Sequence, residues 1–95
     1  MERIFKYPLK FEDEQVVEIH GLIRVFSVIE QNGVLMLYAM VNNDNHNQMC
    51  HYVKVFIRGT GHNMNGAEEA WFLGTVPTTR GLVWHVFYLH VFNGG

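Results

Sequence analysis

The chain has 95 residues, 48% of them apolar and 17% charged, with a formal net charge of -2. That length supports one core and one domain, spanning residues 1–95, and the balance is that of a globular rather than a disordered protein. Seven basic residues against nine acidic ones leave no surplus to neutralise phosphates, so direct nucleic-acid binding is not expected. The single cysteine, Cys50, excludes an intramolecular disulfide and points to a reducing compartment. The N-terminus has no apolar core of signal-peptide length, and no stretch approaches the length of a membrane-spanning helix, so the expected location is cytosolic, with no membrane partner.

In chain order, residues 3–7 alternate and end at Pro8, as a short first strand would. Glu12-Asp13-Glu14 reads as a solvated turn, and residues 15–19 as a second short strand. The clearest signal lies in residues 22–29 and 34–41, two runs rich in β-branched, aromatic and long apolar residues. Gln31-Asn32-Gly33 between them predicts a hairpin, because Asn-Gly accepts the positive φ angles of a tight turn. Residues 42–48 contain no apolar side chain and predict an exposed connection. Residues 49–58 alternate again, with Val53, Val55 and Ile57 facing one way and Tyr52, Lys54, Phe56 and Arg58 the other.

Gly59-Thr60-Gly61-His62-Asn63-Met64-Asn65-Gly66 breaks the pattern, and Ala67-Glu68-Glu69-Ala70 allows one helical turn at most. Residues 71–76 resume as a strand, 77–81 form a turn with Pro and Gly at its ends, and 82–92 return as the longest strand. That last run is apolar on both faces: Val83, Phe87, Leu89 and Val91 with His85, against Leu82, Trp84, Val86, Tyr88 and Phe92 with His90. A strand of this kind needs cover on both sides. The pattern therefore predicts an all-β domain of about six antiparallel strands, as a single sheet or a partly closed sandwich or barrel. A second copy of the chain, most simply in a dimer, is the expected cover for the surplus apolar face.

Candidate chemistry is sparse. His46, Cys50 and His51 cluster in sequence, but neighbouring strand residues diverge. His85 and His90 are five apart and point to opposite faces, so no metal site is expected. Gly59-Thr60-Gly61-His62, with Arg58 before it, has the makings of an anion-binding turn, yet no helix follows, and the ordinary reading is a turn that needs positive φ at its glycines. Ser27 and Cys50 sit inside strands without an adjacent base, and Glu68 and Glu69 look like solvated turn residues. No catalytic residue and no cofactor are expected, and the chain reads as a non-enzyme. Trp71 and Trp84 fall on neighbouring strands, and Trp and Tyr are enriched at binding surfaces. Arg58, Thr60, His62, Trp71, Trp84 and Tyr88 are accordingly the candidate ligand- or partner-binding residues. Trp71, close in sequence to Arg58 and His62, is the expected wall of a groove that would suit a stacked base.

The chain also resembles a small family of uncharacterised proteins encoded by bacteriophages, prophages and their hosts. The resemblance rests on Ile4-Phe5-Lys6-Tyr7-Pro8-Leu9, Val28 through Gln31-Asn32-Gly33, Leu37-Tyr38-Ala39-Met40-Val41, Arg58-Gly59-Thr60-Gly61-His62, Phe72-Leu73-Gly74-Thr75-Val76 and Val83-Trp84-His85-Val86-Phe87. It departs at Ile19-His20-Gly21, where such sequences tend to carry a Met-Pro step. It departs again after Phe87, where they often stop. The resemblance implies a phage accessory protein in the bacterial host cytoplasm. The expected action is occupancy: binding and blocking a host factor, an antiviral defence protein above all. An oligomeric sponge for a small signalling nucleotide and a virion assembly protein are the alternatives.

Overall fold

A computed structural model gives the fold and describes residues 1–42 and 49–91. The rest of the expected 42–48 connection, His46 included, and Phe92 of the expected last strand lie outside the described residues. Among the described residues seven strands are present where the pattern predicts about six: β1 (Glu2–Pro8), β2 (Glu14–His20), β3 (Leu22–Gln31), β4 (Val34–Asn42), β5 (Cys50–Gly59), β6 (Trp71–Pro77) and β7 (Val83–Val91). They form two antiparallel sheets, ordered β1-β4-β3 and β2-β5-β7-β6, packed as an open sandwich, one of the forms the pattern allows. The short opening strands belong to different sheets. The four residues at 67–70 form turns rather than a helix, with Ala70 N–H donating to Ala67 C=O and Ala67 N–H to Met64 C=O.

The β3–β4 hairpin closes through Asn32 (φ 53°) and Gly33 (φ 82°), with Gln31 opposite Val34. Two successive positive φ values give the turn a twist that matches its flanking strands. The core lies between the sheets. Leu35, Leu37, Ala39 and Val41 of β4 alternate inward from one side, and Ile19, Val53, Val55, Ile57 and Val86 from the other. Each of these Leu, Ile and Val side chains contributes about 1.5–3 kcal/mol by leaving water, and the Ala39 methyl less.

The two sides of the sandwich close differently. On one side β3 and β6 run beside each other, and both are bulged, β3 after Leu22 and Val25 and β6 after Phe72. A bulge bends and twists its strand, which lets each lean towards the other sheet. On the opposite side the β1–β2 connection is the plug. Leu9 is buried and its N–H donates to Leu35 C=O at 2.8 Å. Gln15 clamps the same connection, accepting from Lys10 N–H at 2.9 Å and donating to Lys10 C=O at 2.7 Å.

Candidate functional site

Three connections meet at one end of the sandwich and leave a cleft of about 340 Å³ between them. Phe11 comes from the β1–β2 connection, Glu30 and Gly33 from the hairpin, Thr78, Thr79, Arg80 and Leu82 from the β6–β7 turn, and Trp84 from the first residues of β7. Trp84 points inward, on the face it shares with Val86 and Tyr88, as the alternation requires. At the sheet's end no further strand residue covers it, so its ring is left for the connections to pack on. The Phe11 ring lies 5.8 Å from it at 51°, and the His62 ring 6.4 Å away, edge-on. Phe11 and Leu82 remain 54% and 55% exposed, so the cleft has an apolar mouth. Behind the Phe11–Trp84 pair a hollow of about 100 Å³ is lined by Glu12, Asp13, Ile57 and His62.

Arg58 holds this end together. It lies on the outer face of β5 yet is only 9% exposed. Its guanidinium donates to Asp13 C=O at 2.6 Å, Asn65 C=O at 2.9 Å, and Asn63 C=O and Ile57 C=O at 3.1 Å. Ile57 N–H donates to the same Asp13 carbonyl at 3.0 Å. The planar fork thus ties the β1–β2 connection and the 59–66 loop to β5. His62 is fixed in turn: its Nδ1 accepts Gly59 N–H at 3.1 Å, which leaves the ring proton on Nε2. A Cβ at Gly59 would stand 2.9 Å from His62 Cε1, so a larger residue there would push the ring aside.

The six sequence candidates therefore separate. Trp84 lines the cleft, His62 packs on it from the hollow behind, and Arg58 supports this end with its guanidinium on backbone carbonyls. Trp71 and Tyr88 face each other across β6 and β7 at the far end, where a shallower groove also carries Leu22, Ile23, Arg24, Val25 and His90. Trp71 and Trp84 are on adjacent strands, but the antiparallel register places Trp84 opposite Val76, five residues from Trp71. Thr60 lies elsewhere again. Its Oγ1 is 2.9 Å from His85 Nε2, and Thr75 Oγ1 is 3.0 Å from His85 Nδ1. Both nitrogens of that imidazole are occupied by hydroxyls.

Other side chains gather where sequence spacing does not suggest it. Cys50 and His51 diverge as expected, each to a partner on a neighbouring strand. His51 Nδ1 is 2.8 Å from His90 Nε2, with ring centroids 4.9 Å apart. His51 is held below the ordinary imidazole range, first by burial and then by the neighbouring His90. On the opposite face Cys50 Sγ donates to Glu18 Oε1 at 3.1 Å, and His20 Nε2 is 3.2 Å from that same oxygen. The half-exposed thiol is pushed above its usual value by partial desolvation and by the Glu18 carboxylate. Tyr52 is also raised, foremost by its hydrogen bond with Cys50.

Phe11, Arg80, Glu18 and His20 carry no motif, and sequence reasoning did not single them out. The exposed Phe11 beside an acidic turn is the one signal that could have found the cleft.

A comparison with protein families matches residues 1–94 to the family described as a domain of unknown function, DUF7352. No curated protein and no solved structure matches the chain.

Proposed function

The chain belongs to the DUF7352 family, and from that premise we propose that it is a non-enzymatic, phage-encoded accessory protein that binds a host protein and blocks it by covering a working surface. A component of a bacterial antiviral defence system is the target the reading favours. The observation that carries it is the outer face of the four-stranded sheet. Along β7 this face presents Phe87, Leu89 and Val91. Phe72 of β6, 60% exposed, packs its ring edge-on against Phe87 at 5.7 Å, while Val16 of β2 is set apart from the strip by Lys54, which lies between it and Leu89. Glu14 and Lys54 form an ion pair at its margin. An apolar strip edged by an ion pair has the anatomy of a protein-binding patch, whereas Trp71, 69% exposed, lies on the other face of β6 with Tyr88 and is not part of it.

The test is phage challenge of bacteria carrying individual defence systems, with and without the protein, followed by direct binding of any system it disables. Phe72→Asp and Val91→Asp, both at exposed positions of this face, should abolish both the rescue and the binding while the fold persists. Unimpaired rescue by both variants would remove this surface from the account.

A second reading has its own support. The cleft that joins Phe11 and Trp84 to Arg80, Thr78 and Thr79 combines ring faces, a cation and hydroxyls, which suits a small nucleotide. Titration calorimetry with a panel of cyclic and linear nucleotides tests it. Binding lost in both Trp84→Ala and Arg80→Ala supports sequestration; no heat at millimolar concentration disposes of it.

A further inference from the structure

From the corner of the sheet where β2 ends and β5 begins, we infer a transition-metal site made by Glu18, His20 and Cys50, suited to zinc. Glu18 and His20 are two apart on β2 and so share the sheet's outer face. Cys50 is directly opposite His20 in the register, and Tyr52 directly opposite Glu18. Opposite positions in an antiparallel ladder bring Cβ atoms to about 4.5–5.5 Å, close enough for short side chains to share an ion. Here they converge: Glu18 Oε1, His20 Nε2 and Cys50 Sγ all lie within 4.8 Å of one another.

The donor set selects the metal. Thiolate, imidazole and carboxylate are the three side-chain types that bind zinc, whereas hard ions such as magnesium and calcium take oxygen alone. Three protein ligands on an exposed face leave a fourth tetrahedral position open to water or to a partner's side chain. Binding requires the Cys50 proton to leave for solvent as the sulfur takes up the ion. The frame beneath is fixed by backbone. Gly21, next to His20, donates its N–H to Met49 C=O and accepts from Asn42 N–H, both at 2.9 Å. The strand ends carrying the ligands are thereby held in register, so the ion has little backbone to order.

The test uses the whole chain, stripped of metal and titrated with cobalt(II) under reducing conditions. A single equivalent should bind, with a thiolate-to-cobalt charge-transfer band in the near ultraviolet and visible transitions of tetrahedral intensity. Zinc should displace it and should slow alkylation of Cys50 by iodoacetamide. Cys50→Ser should abolish the band. His20→Ala and Glu18→Gln should each weaken binding by about 100-fold, at the upper end of what loss of a mere supporting group costs. All three positions are at the surface, and circular dichroism verifies that the variants fold. No charge-transfer band overturns the assignment. So does a band of unchanged affinity in His20→Ala and Glu18→Gln, which would mark a thiol binding cobalt by itself.

Discussion

Replacing Arg58 with Met keeps an unbranched apolar stem beside Phe56, whose ring centroid lies 5.8 Å from the guanidinium, and removes every donor. Four hydrogen bonds are lost, to Asp13, Ile57, Asn63 and Asn65. A bond from a charged donor is worth about 1.5–3 kcal/mol net. The four do not add, because the carbonyls of the two connections regain water once the loop lifts, whereas the contact with Ile57 C=O is buried. One full bond at the buried carbonyl and a fraction of each remaining one give about 3 kcal/mol, a large part of the ~5–15 kcal/mol that holds a domain together. Urea denaturation of both proteins measures the difference. Amide exchange locates it: His62 and Asn65 N–H should lose protection first, and Val86 last. A change inside the ~0.5 kcal/mol scatter of surface substitutions would refute the claim that this arginine is a latch.

Three further outcomes follow from the packing and the titrating groups. Gly33→Ala should cost about 1–2 kcal/mol, because φ 82° is left-handed while no atom lies within 4 Å to obstruct the new methyl; an unchanged melting temperature would contradict that. Leu37→Ala, at a fully buried site between the sheets, should cost about 2–5 kcal/mol in the same assay, against near-neutrality for Ile4→Ala on the exposed face. His51 is held below its unfolded value, so the unfolded chain takes up the proton first as pH falls. Stability is therefore full above about pH 6.5 and declines below it. Urea midpoints on either side of that value should differ less in His51→Gln than in the parent, and equal differences would exclude His51 as the source.

What the sequence disclosed, and what it withheld, follows from the range of the interactions. Asn32-Gly33 and the alternation of Val53, Val55 and Ile57 are local statements, and they placed a hairpin and a strand correctly. Partition into two sheets is not local. Residues 3–7 and 15–19 read simply as two short strands in succession, and nothing in either segment tells that β1 pairs with β4 and β2 with β5. The same limit applied to the site. Trp71 and Trp84 sit on adjacent strands, but only the register reveals that they stand at opposite ends. Arg58 at the end of a strand looks like a surface cation, because nothing in its neighbourhood announces that Asp13, 45 positions earlier, will offer it a carbonyl. Cys50 seemed to have only His46 and His51 to work with. Its actual neighbours, Glu18 and His20, come from a strand 30 residues upstream.

Arg58 remains linked to the cleft even though its donors face away from it. Asp13, which it holds, is two residues from Phe11, and Asn63, which it also holds, adjoins His62. Phe11 and His62 are the two rings packed on Trp84. The latch therefore sets Phe11, a wall of the cleft, and His62, which lines the hollow behind it, and its loss should loosen both while β7 keeps Trp84 in place. In a Trp71→Phe background the single remaining indole reports this directly: acrylamide should quench Trp84 more efficiently once Arg58→Met is added, with the strands still folded by circular dichroism. If a nucleotide binds the cleft, Arg58→Met should weaken it with little change in salt dependence, because no ion pair with the ligand is lost. Arg80→Ala should weaken it and flatten that dependence. A steep loss of salt sensitivity in Arg58→Met, with Trp84 quenching unaltered, would mean that the guanidinium leaves its carbonyls to meet the ligand itself, and that the latch is not the arginine's role.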